Sequence, residues 1–120
     1  MKFITNRQVE VAIKDSIRIY LCGNLKEPSP LKHIQTDGYE IGISQYEKRT
    51  VEKRHLHRWN TEYNYIIRGR VDVFVNDECY SFTEGDLFII EPNEPYSVIA
   101  EKGTKVIFSK LPGGNDKELV

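Results

Sequence analysis

Residues 54–70 read RHLHRWNTEYNYIIRGR and form the most informative stretch of this 120-residue chain. The stretch holds two of the three histidines, His55 and His57, followed by Glu62 and Gly69 in the spacing His-x-His-x4-Glu-x6-Gly. Imidazole and carboxylate groups are the usual protein ligands of zinc, iron, manganese, nickel and copper. The spacing therefore predicts a site in which these side chains act together.

The same stretch has the alternating pattern of a β-strand. Residues i and i+2 of a strand point to the same face, so His55 and His57 should share a face, with Cα atoms about 6.6 Å apart. If residues 58–61 close a hairpin, His57 faces Glu62 across the two strands and His55 faces Asn64. Three ligands would then lie on one patch with open positions for water or substrate. The alternative is that both histidines are polar residues of an exposed hairpin, with Glu62 an incidental neighbour.

The rest of the chain also shows a period of two residues, and no long helical stripe is present. About ten short strands with regular turn signals predict an all-β fold, either a closed antiparallel barrel or a two-sheet jelly roll. The strands are expected at residues 9–13, 16–22, 39–47, 51–58, 62–68, 70–75, 78–83, 87–90, 96–100 and 104–110. A turn is expected at Lys14 and Asp15, and a loop at residues 23–33, which contain Pro28 and Pro30.

The length suits one compact domain. We divide it into residues 1–35, the N-terminal strands and loop of the barrel, residues 36–110, its core, and residues 111–120, a tail. The tail, LPGGNDKELV, is predicted to be an extension or a dimer arm.

Composition disfavours several classes of function. The net charge is −1 with Lys and Arg scattered among Asp and Glu, which argues against nucleic-acid binding. The longest aliphatic or Phe run, Leu87–Ile90, is far too short to span a bilayer, and residues 1–11 show no export signal. We therefore expect a cytoplasmic protein without a membrane partner, in which Cys22 and Cys79 are reduced. His33, in the Pro-containing loop, is expected at the surface.

The motif around His55 resembles the first motif of the cupin superfamily, G-x5-H-x-H-x3,4-E-x6-G. Four of its five defined positions match, and Arg49 stands where the leading glycine is expected. The second cupin motif, G-x5-P-x-G-x2-H-x3-N, resembles residues 85–100, GDLFIIEPNEPYSVIA, in frame. Of its defined positions only the first matches, and the substituted ones are Glu91 for Pro, Asn93 for Gly, Tyr96 for His and Ala100 for Asn.

This resemblance covers residues 36–110 and implies a small RmlC-like jelly roll with a pocket lined by the two motifs. Cupins commonly hold a divalent metal ion, which carries over here to His55, His57 and Glu62, with Tyr96 in the fourth position. The ion implied is Fe, Mn, Zn or Ni. The leading prediction is a small cupin whose metal site binds or transforms a small polar metabolite, carbohydrate-like or of the kind that oxygenases use.

Two alternatives remain open. The barrel also resembles metal-independent nucleotide-sugar epimerases and ketoisomerases, in which His57 and Tyr96 would be the catalytic base and acid. Charged side chains that flank the motif could then reach a diphosphate, or could simply be solvated, namely Arg54, Arg58, Arg68 and Arg70. The other alternative is a non-catalytic ligand-binding module.

Substrate-pocket residues are predicted at Asn64, Arg68 and Trp59, with Trp59 either capping the pocket or packing at a dimer interface. A homodimer is expected, because small one-barrel cupins usually pair. Tyr63 and Tyr65 alternate with Asn64, so one face of this strand should contact a partner subunit.

Overall fold

The computed structural model describes residues 1–14, 16–26 and 29–120. Within these residues the chain forms one helix and eleven strands. In chain order they are α1 (Asn6–Ile13), β1 (Arg18–Gly23), β2 (Ile34–Gln35), β3 (Glu40–Gln45), β4 (Thr50–His57), β5 (Thr61–Arg68), β6 (Arg70–Val75), β7 (Glu78–Thr83), β8 (Leu87–Ile90), β9 (Tyr96–Ala100), β10 (Lys105–Leu111) and β11 (Lys117–Leu119).

The strands form two sheets that face each other in a jelly roll. One sheet has the order β2-β1-β3-β10-β5-β8 and the other β11-β4-β9-β6-β7. The ladders are antiparallel except for the short β1–β2 pair. The predicted all-β antiparallel jelly roll is confirmed.

An apolar core fills one part of the space between the sheets. Its side chains alternate with exposed ones along their strands, because successive residues of a strand point to opposite faces. The buried members are Ile66, Val71, Val73, Phe88, Ile90, Tyr96, Val98 and Val106. Burial of each such aliphatic or aromatic side chain contributes about 1.5–3 kcal/mol to the free energy of unfolding. The rest of the interior contains mostly polar and charged side chains, together with Phe108, and holds the site described below.

The strand predicted at residues 9–13 is wrong, because these residues belong to helix α1. Thr5 caps the helix: its hydroxyl accepts from the Gln8 N–H, and the Gln8 side chain accepts from the Thr5 N–H. This capping box outweighs the local alternation of residues. Val9 and Ile13 then pack on the outer face of the first sheet. The predicted turn residue Asp15 lies outside the described residues, as does Pro28.

The hairpin that would have paired β4 with β5 does not form. β4 pairs with β9 and β11 in one sheet, whereas β5 pairs with β10 and β8 in the other. The ladder partner of His55 is therefore Tyr96, not Asn64. The three residues between β4 and β5, 58–60, carry the chain from one sheet to the other, so β4 and β5 face each other across the interior.

Glycine is required at the last position of the first motif. Gly69 has φ +91°, and a Cβ atom there would lie 2.5 Å from the backbone Cα of Thr104. Thr104 is fully buried, and its hydroxyl bonds both the N–H and the carbonyl of Arg70. Gly69 thus lets the chain turn from β5 into β6 in close contact with the start of β10.

The tail is not a free extension, because it returns to the barrel. Its strand β11 pairs with β4, with Lys117 opposite His57 and Leu119 opposite His55. Cys22 and Cys79 are both free cysteines, and their reduced state stays a prediction. His33 is buried rather than exposed, and its Nε2 lies 2.8 Å from the Gln35 side chain.

Among the described residues, no helix has the length and apolar character needed to cross a membrane.

Candidate functional site

A cavity of about 60 Å³ lies between the two sheets. Polar and charged side chains line it on one side and apolar core residues on the other. The lining residues are Arg18, Ser44, Tyr46, Glu52, His55, His57, Glu62, Asn64, Val71, Phe88, Tyr96, Val98, Val106, Phe108, Lys110 and Lys117.

An irregularity in β4 brings an unusual set of residues to the same face. The register with β9 shifts between Glu52 and His55, as expected for a β-bulge. Residues three apart in a regular strand point to opposite faces, but here Glu52, His55 and His57 all line the cavity. The shared face predicted for the two histidines is therefore present, and a carboxylate joins it.

His57 is buried and fixed by a carboxylate from the tail. Its Nδ1 atom lies 2.7 Å from Oδ1 of Asp116. Asp116 is itself buried, and its Oδ2 accepts the backbone N–H groups of Trp59 and Asn60. Burial opposes ionisation of Asp116, but these N–H groups and His57 outweigh it and lower its pKa. An ionised Asp116 only accepts, so Nδ1 of His57 carries a proton.

The other nitrogen of His57 faces a second carboxylate. Nε2 lies 3.4 Å from Oε2 of Glu62, across the interior from β4 to β5. If Nε2 had no proton, its lone pair would face an oxygen lone pair. A proton on either atom, or a cation bound between them, removes this repulsion. His57 and Glu62 can therefore share a proton or a cation across the cavity.

Glu62 is also bonded through its other oxygen. Oε1 accepts from Nδ2 of Asn64 at 3.2 Å and from the Tyr96 hydroxyl at 3.3 Å. Burial, followed by the charge of Glu62, raises the pKa of Tyr96 well above its ordinary value. Tyr96 is therefore a neutral phenol and a hydrogen-bond donor, which makes it a weak candidate for the fourth metal ligand.

His55 is held in a similar way but by the backbone. Its Nδ1 atom lies 2.7 Å from the Lys53 carbonyl oxygen, which can only accept, so Nδ1 carries the proton. Burial lowers the pKa of His55 and keeps it neutral at pH 7. Its ring packs against Tyr96 with ring centroids 4.4 Å apart and meets His57 edge-on at 5.3 Å.

The fit of a metal ion to these residues is partial. Both histidines have Nδ1 engaged by an acceptor, which is the usual arrangement for imidazoles that bind a metal through Nε2. Within residues 1–14, 16–26 and 29–120, however, no three His, Cys, Asp or Glu side chains are grouped so that they could hold an ion. His57 and Glu62 approach each other, and His55 does not complete the set.

An ion pair crosses between the sheets at another part of the cavity. Nη2 of Arg18 lies 2.7 Å from Oε1 of Glu52, and Nε of Arg18 donates to the Ser44 hydroxyl at 2.9 Å. The Tyr46 hydroxyl donates to the same Glu52 oxygen at 2.9 Å. Burial and the charge of Glu52 raise the pKa of Tyr46 to about 12, so it remains a donor.

The structure brings together His55, His57, Glu62, Asn64 and Tyr96 around the cavity. Trp59 and Arg68 do not line it: both side chains are exposed, and Arg68 donates to the Gly103 carbonyl oxygen. The other flanking arginines also lie outside the lining, namely Arg54, Arg58 and Arg70.

Asp116 and Arg18 were not predicted as site residues from the sequence. Asp116 is 59 residues from His57 and follows a Gly-rich turn that gives no periodic signal. Arg18 lies in a predicted strand, but its inward orientation depends on sheet pairing that the local pattern does not contain.

The chain matches the family model described as "Cupin domain" over residues 42–109. The chain is a cupin. No curated protein was found that matches this cupin.

Solved structures of other cupins share its fold. KdgF from Halomonas sp. superposes with a TM-score of 0.65 at 19% identity, covering 82% of this chain and 80% of that one. Streptomyces Pac13, described as a unique nucleoside dehydratase, gives 0.63 at 15% identity, with 71% and 70% covered. An RmlC-like cupin from Shewanella frigidimarina NCIMB 400 gives 0.61 at 21% identity, with 68% and 72% covered. At these identities the likeness concerns the fold.

Proposed function

We propose that this cupin binds the reacting end of a small polar metabolite in its cavity and catalyses a proton transfer on it. His57 is the proton carrier, and Tyr96 donates a hydrogen bond to the substrate oxygen that gains negative charge. The observation that carries the proposal is the position of His57 in the cavity wall, with Asp116 at Nδ1 and Glu62 at Nε2.

The carboxylates of Asp116 and Glu62 assist proton transfer both to and from His57. When Nε2 is unprotonated, it can take a proton from a substrate carbon next to a carbonyl, and the imidazolium so formed lies between two negative charges. Asp116 fixes the ring and its tautomer, because it accepts from Nδ1. The imidazolium proton, which can exchange with solvent, then returns to the substrate on the face that it left, either at the adjacent carbon or at a departing hydroxyl, which leaves as water.

Tyr96 has the complementary role. Its neutral phenol lies beside Glu62, and it can turn its O–H from this carboxylate to a substrate oxygen. A donor aimed at developing charge inside a buried site is worth about 3–4 kcal/mol of barrier in comparable cases. The reaction classes supported are isomerisation of a carbohydrate-like substrate by transfer of a proton between adjacent carbons, and dehydration.

One of the solved structures with a similar fold also supports a polar ligand in the cavity. Pac13 is described as a nucleoside dehydratase, and two of its variants, one with a histidine changed to glutamine and one with a tyrosine changed to phenylalanine, were solved with uridine. Its fold resembles this one, so a cupin cavity with a histidine and a tyrosine is a reasonable place for a polar ligand in the present chain.

Hydrogen exchange tests the proposal. Purified protein would be incubated in D2O with a panel of ketoses, aldoses, uronic acids and nucleotide sugars, and loss of each C–H signal followed by NMR. We expect exchange or a dehydrated product with at least one compound, and a loss of about 100-fold or more in His57→Gln. The control is Glu118→Gln, since Glu118 is exposed and lies outside the cavity lining. Equal rates for wild type and His57→Gln would refute the assignment. Binding without any turnover would identify a ligand-binding module.

A divalent metal ion is the second candidate, with His57 and Glu62 as ligands, whereas His55, the third ligand expected from the sequence, does not join them in the described structure. The 3.4 Å between Nε2 of His57 and Oε2 of Glu62 is longer than a normal N–H···O hydrogen bond of about 2.7–3.2 Å. It matches the spacing of two ligands held about 2.0–2.1 Å from one tetrahedral ion. Such an ion would polarise a substrate oxygen as a Lewis acid.

Elemental analysis of protein purified without chelators separates the candidates. Stoichiometric metal that disappears in His57→Ala and in Glu62→Ala, but persists in Glu118→Ala, would favour the metal site. Protein that shows exchange activity with metal far below one ion per chain would favour proton transfer by the side chains alone.

A further inference from the structure

A surface groove of about 330 Å³ adjoins the cavity. The two share four lining residues, and the Arg18–Glu52 ion pair is part of this common wall. The shared residues are Arg18, Tyr46, Glu52 and Lys117, and the groove adds Ile17, Thr50, Val51, Lys53 and Leu119. The cavity alone is far smaller than the roughly 300–1,000 Å³ of most small-molecule sites, whereas the groove provides space of that order.

Arg18 is fixed by several contacts and still has N–H groups that can donate to a ligand. Nε bonds Ser44, and Nη2 bonds Glu52 and Tyr46. The guanidinium also lies 5.5 Å from the centre of the Phe108 ring. Among the described residues, no acceptor bonds Nη1, and this atom is not sealed from solvent. Arg18 therefore keeps two N–H groups for a ligand while its orientation is fixed by its neighbours.

The lysines of the groove lack carboxylate partners in the part of the chain that the structure describes. No ion pair involves Lys53 or Lys117 there, whereas Glu52 is already paired with Arg18. The groove thus has an excess of positive charge. It lies beside the opening of the cavity, which contains Glu62 and the pair of His57 and Asp116.

We propose that the groove binds an oxyanion of the substrate, a phosphate or carboxylate held by Arg18, Lys53 and Lys117, while the reacting end of the same molecule enters the cavity. The substrate is then an organic acid or a phosphorylated metabolite rather than a neutral sugar. This inference rests on the proposed function for the reacting end, but the anion site can be tested separately.

Pairs of ligands that differ only in an anionic group test the anion site. The probes are inorganic phosphate, pyrophosphate, and the pairs uridine 5′-monophosphate and uridine, glucose 1-phosphate and glucose, and glucuronate and glucose. Binding would be measured by titration calorimetry and thermal shift at low ionic strength. We expect at least one charged member to bind about tenfold or more tightly than its neutral partner, because hydrogen bonds to charged groups contribute this much. The phosphate and carboxylate pairs show which oxyanion is preferred.

Variants identify the residues responsible for the preference for charged over neutral ligands. The double variant Lys53→Ala/Lys117→Ala should lose it, and both side chains are exposed, so folding should be retained. Arg18→Lys should weaken it as well, since lysine cannot reproduce the fixed planar fork. Lys102→Ala, an exposed lysine that lines neither space, should leave it unchanged.

The outcomes separate the two proposals. Equal affinity for charged and neutral members, no binding of any charged probe, or an unchanged preference in the double variant would each overturn the anion site. His57→Gln should keep the preference for anions, because His57 is not part of the groove. Failure of hydrogen exchange with a retained anion preference would count against the proton-transfer function alone.

Discussion

Nδ1 of His57 lies 2.7 Å from Oδ1 of Asp116, although the two residues are 59 positions apart in the chain. Asp116 precedes the last strand, β11, and its second oxygen accepts two backbone N–H groups from the loop that follows β4. One carboxylate therefore fixes the imidazole, the loop and the tail together.

Removal of this carboxylate should destabilise the fold. Asp116→Ala leaves two buried donors and one partly buried donor without an acceptor, and each buried one costs about 1–3 kcal/mol. Allowing for relaxation, we expect a loss of about 2–4 kcal/mol in the free energy of unfolding, measured by urea denaturation. Glu118→Ala is the matched control, because Glu118 follows two residues later and forms an exposed ion pair with Arg58. Similar losses in the two variants would contradict the role assigned to Asp116.

The lowered pKa of Asp116 predicts an acid-dependent stability. A carboxyl whose pKa is lower in the folded than in the unfolded state stabilises the fold above its unfolded pKa, and this contribution disappears as the pH falls through the folded pKa. The wild type should therefore lose stability as the pH drops from the ordinary value of 3.8 downwards. Asp116→Asn should start less stable but lose less over this range. Parallel curves of unfolding free energy against pH would be evidence against the prediction.

His55 should be neutral at pH 7, with its proton on Nδ1. Its pKa lies below the ordinary 6.5 because of burial. The unfolded state then binds more protons, so the associated stability is present above pH 6.5 and is lost as the pH falls through the folded value. Long-range 1H–15N NMR spectra report the tautomer directly, and His55→Gln should flatten the pH dependence of stability in this window. An imidazolium pattern at pH 7 would rule this out.

Gly69 can be tested against a second glycine of similar backbone conformation. Gly69 and Gly85 have φ of +91° and +87°, but a Cβ atom would contact Thr104 only at Gly69. Gly85→Ala should cost about 1–2 kcal/mol for the left-handed conformation alone. Gly69→Ala should cost more, because the backbone of β10 has to move. Equal losses in thermal or chemical denaturation would show that the contact with Thr104 is unimportant.

The predicted homodimer has a candidate surface. Exposed apolar residues of β5, β8 and β10 adjoin one another on the outer face of the first sheet, namely Tyr63, Tyr65, Leu87, Ile89 and Ile107. We expect a dimer in sedimentation experiments that Tyr65→Glu/Ile89→Glu converts to a monomer. Tyr80→Glu, on an exposed position of the other sheet, should not do so. A monomeric wild type would disprove the dimer.

Local pattern was sufficient for most strands and for the first motif. The alternation of residues located β3 to β10 within a few positions, because most of these strands bury one face in the interior; β7 is largely exposed and was located by the turns on either side of it. The same signal failed at residues 9–13, where Thr5 and Gln8 form a helix cap that the alternation does not contain.

The pairing of strands that are distant in the chain could not be predicted from the local pattern of residues. His57 does meet Glu62, but across two sheets rather than along a hairpin. Asp116 and Arg18 enter the site through β11 and β1, whose neighbours are set by the whole topology. The bulge after Glu52 shifts the inward-facing positions by one residue, which strict alternation cannot predict.

The strand β11 is short, and all three of its residues are exposed. Short, exposed segments open at a smaller free energy than the apolar core of the same protein. Detachment of this strand would release Asp116 and leave His57 without its fixed tautomer while the rest of the barrel stayed intact. On warming, the protein would therefore lose the proton transfer proposed for His57 before it loses its β-structure. The temperature limit of that activity would be set by the β4–β11 ladder rather than by the core.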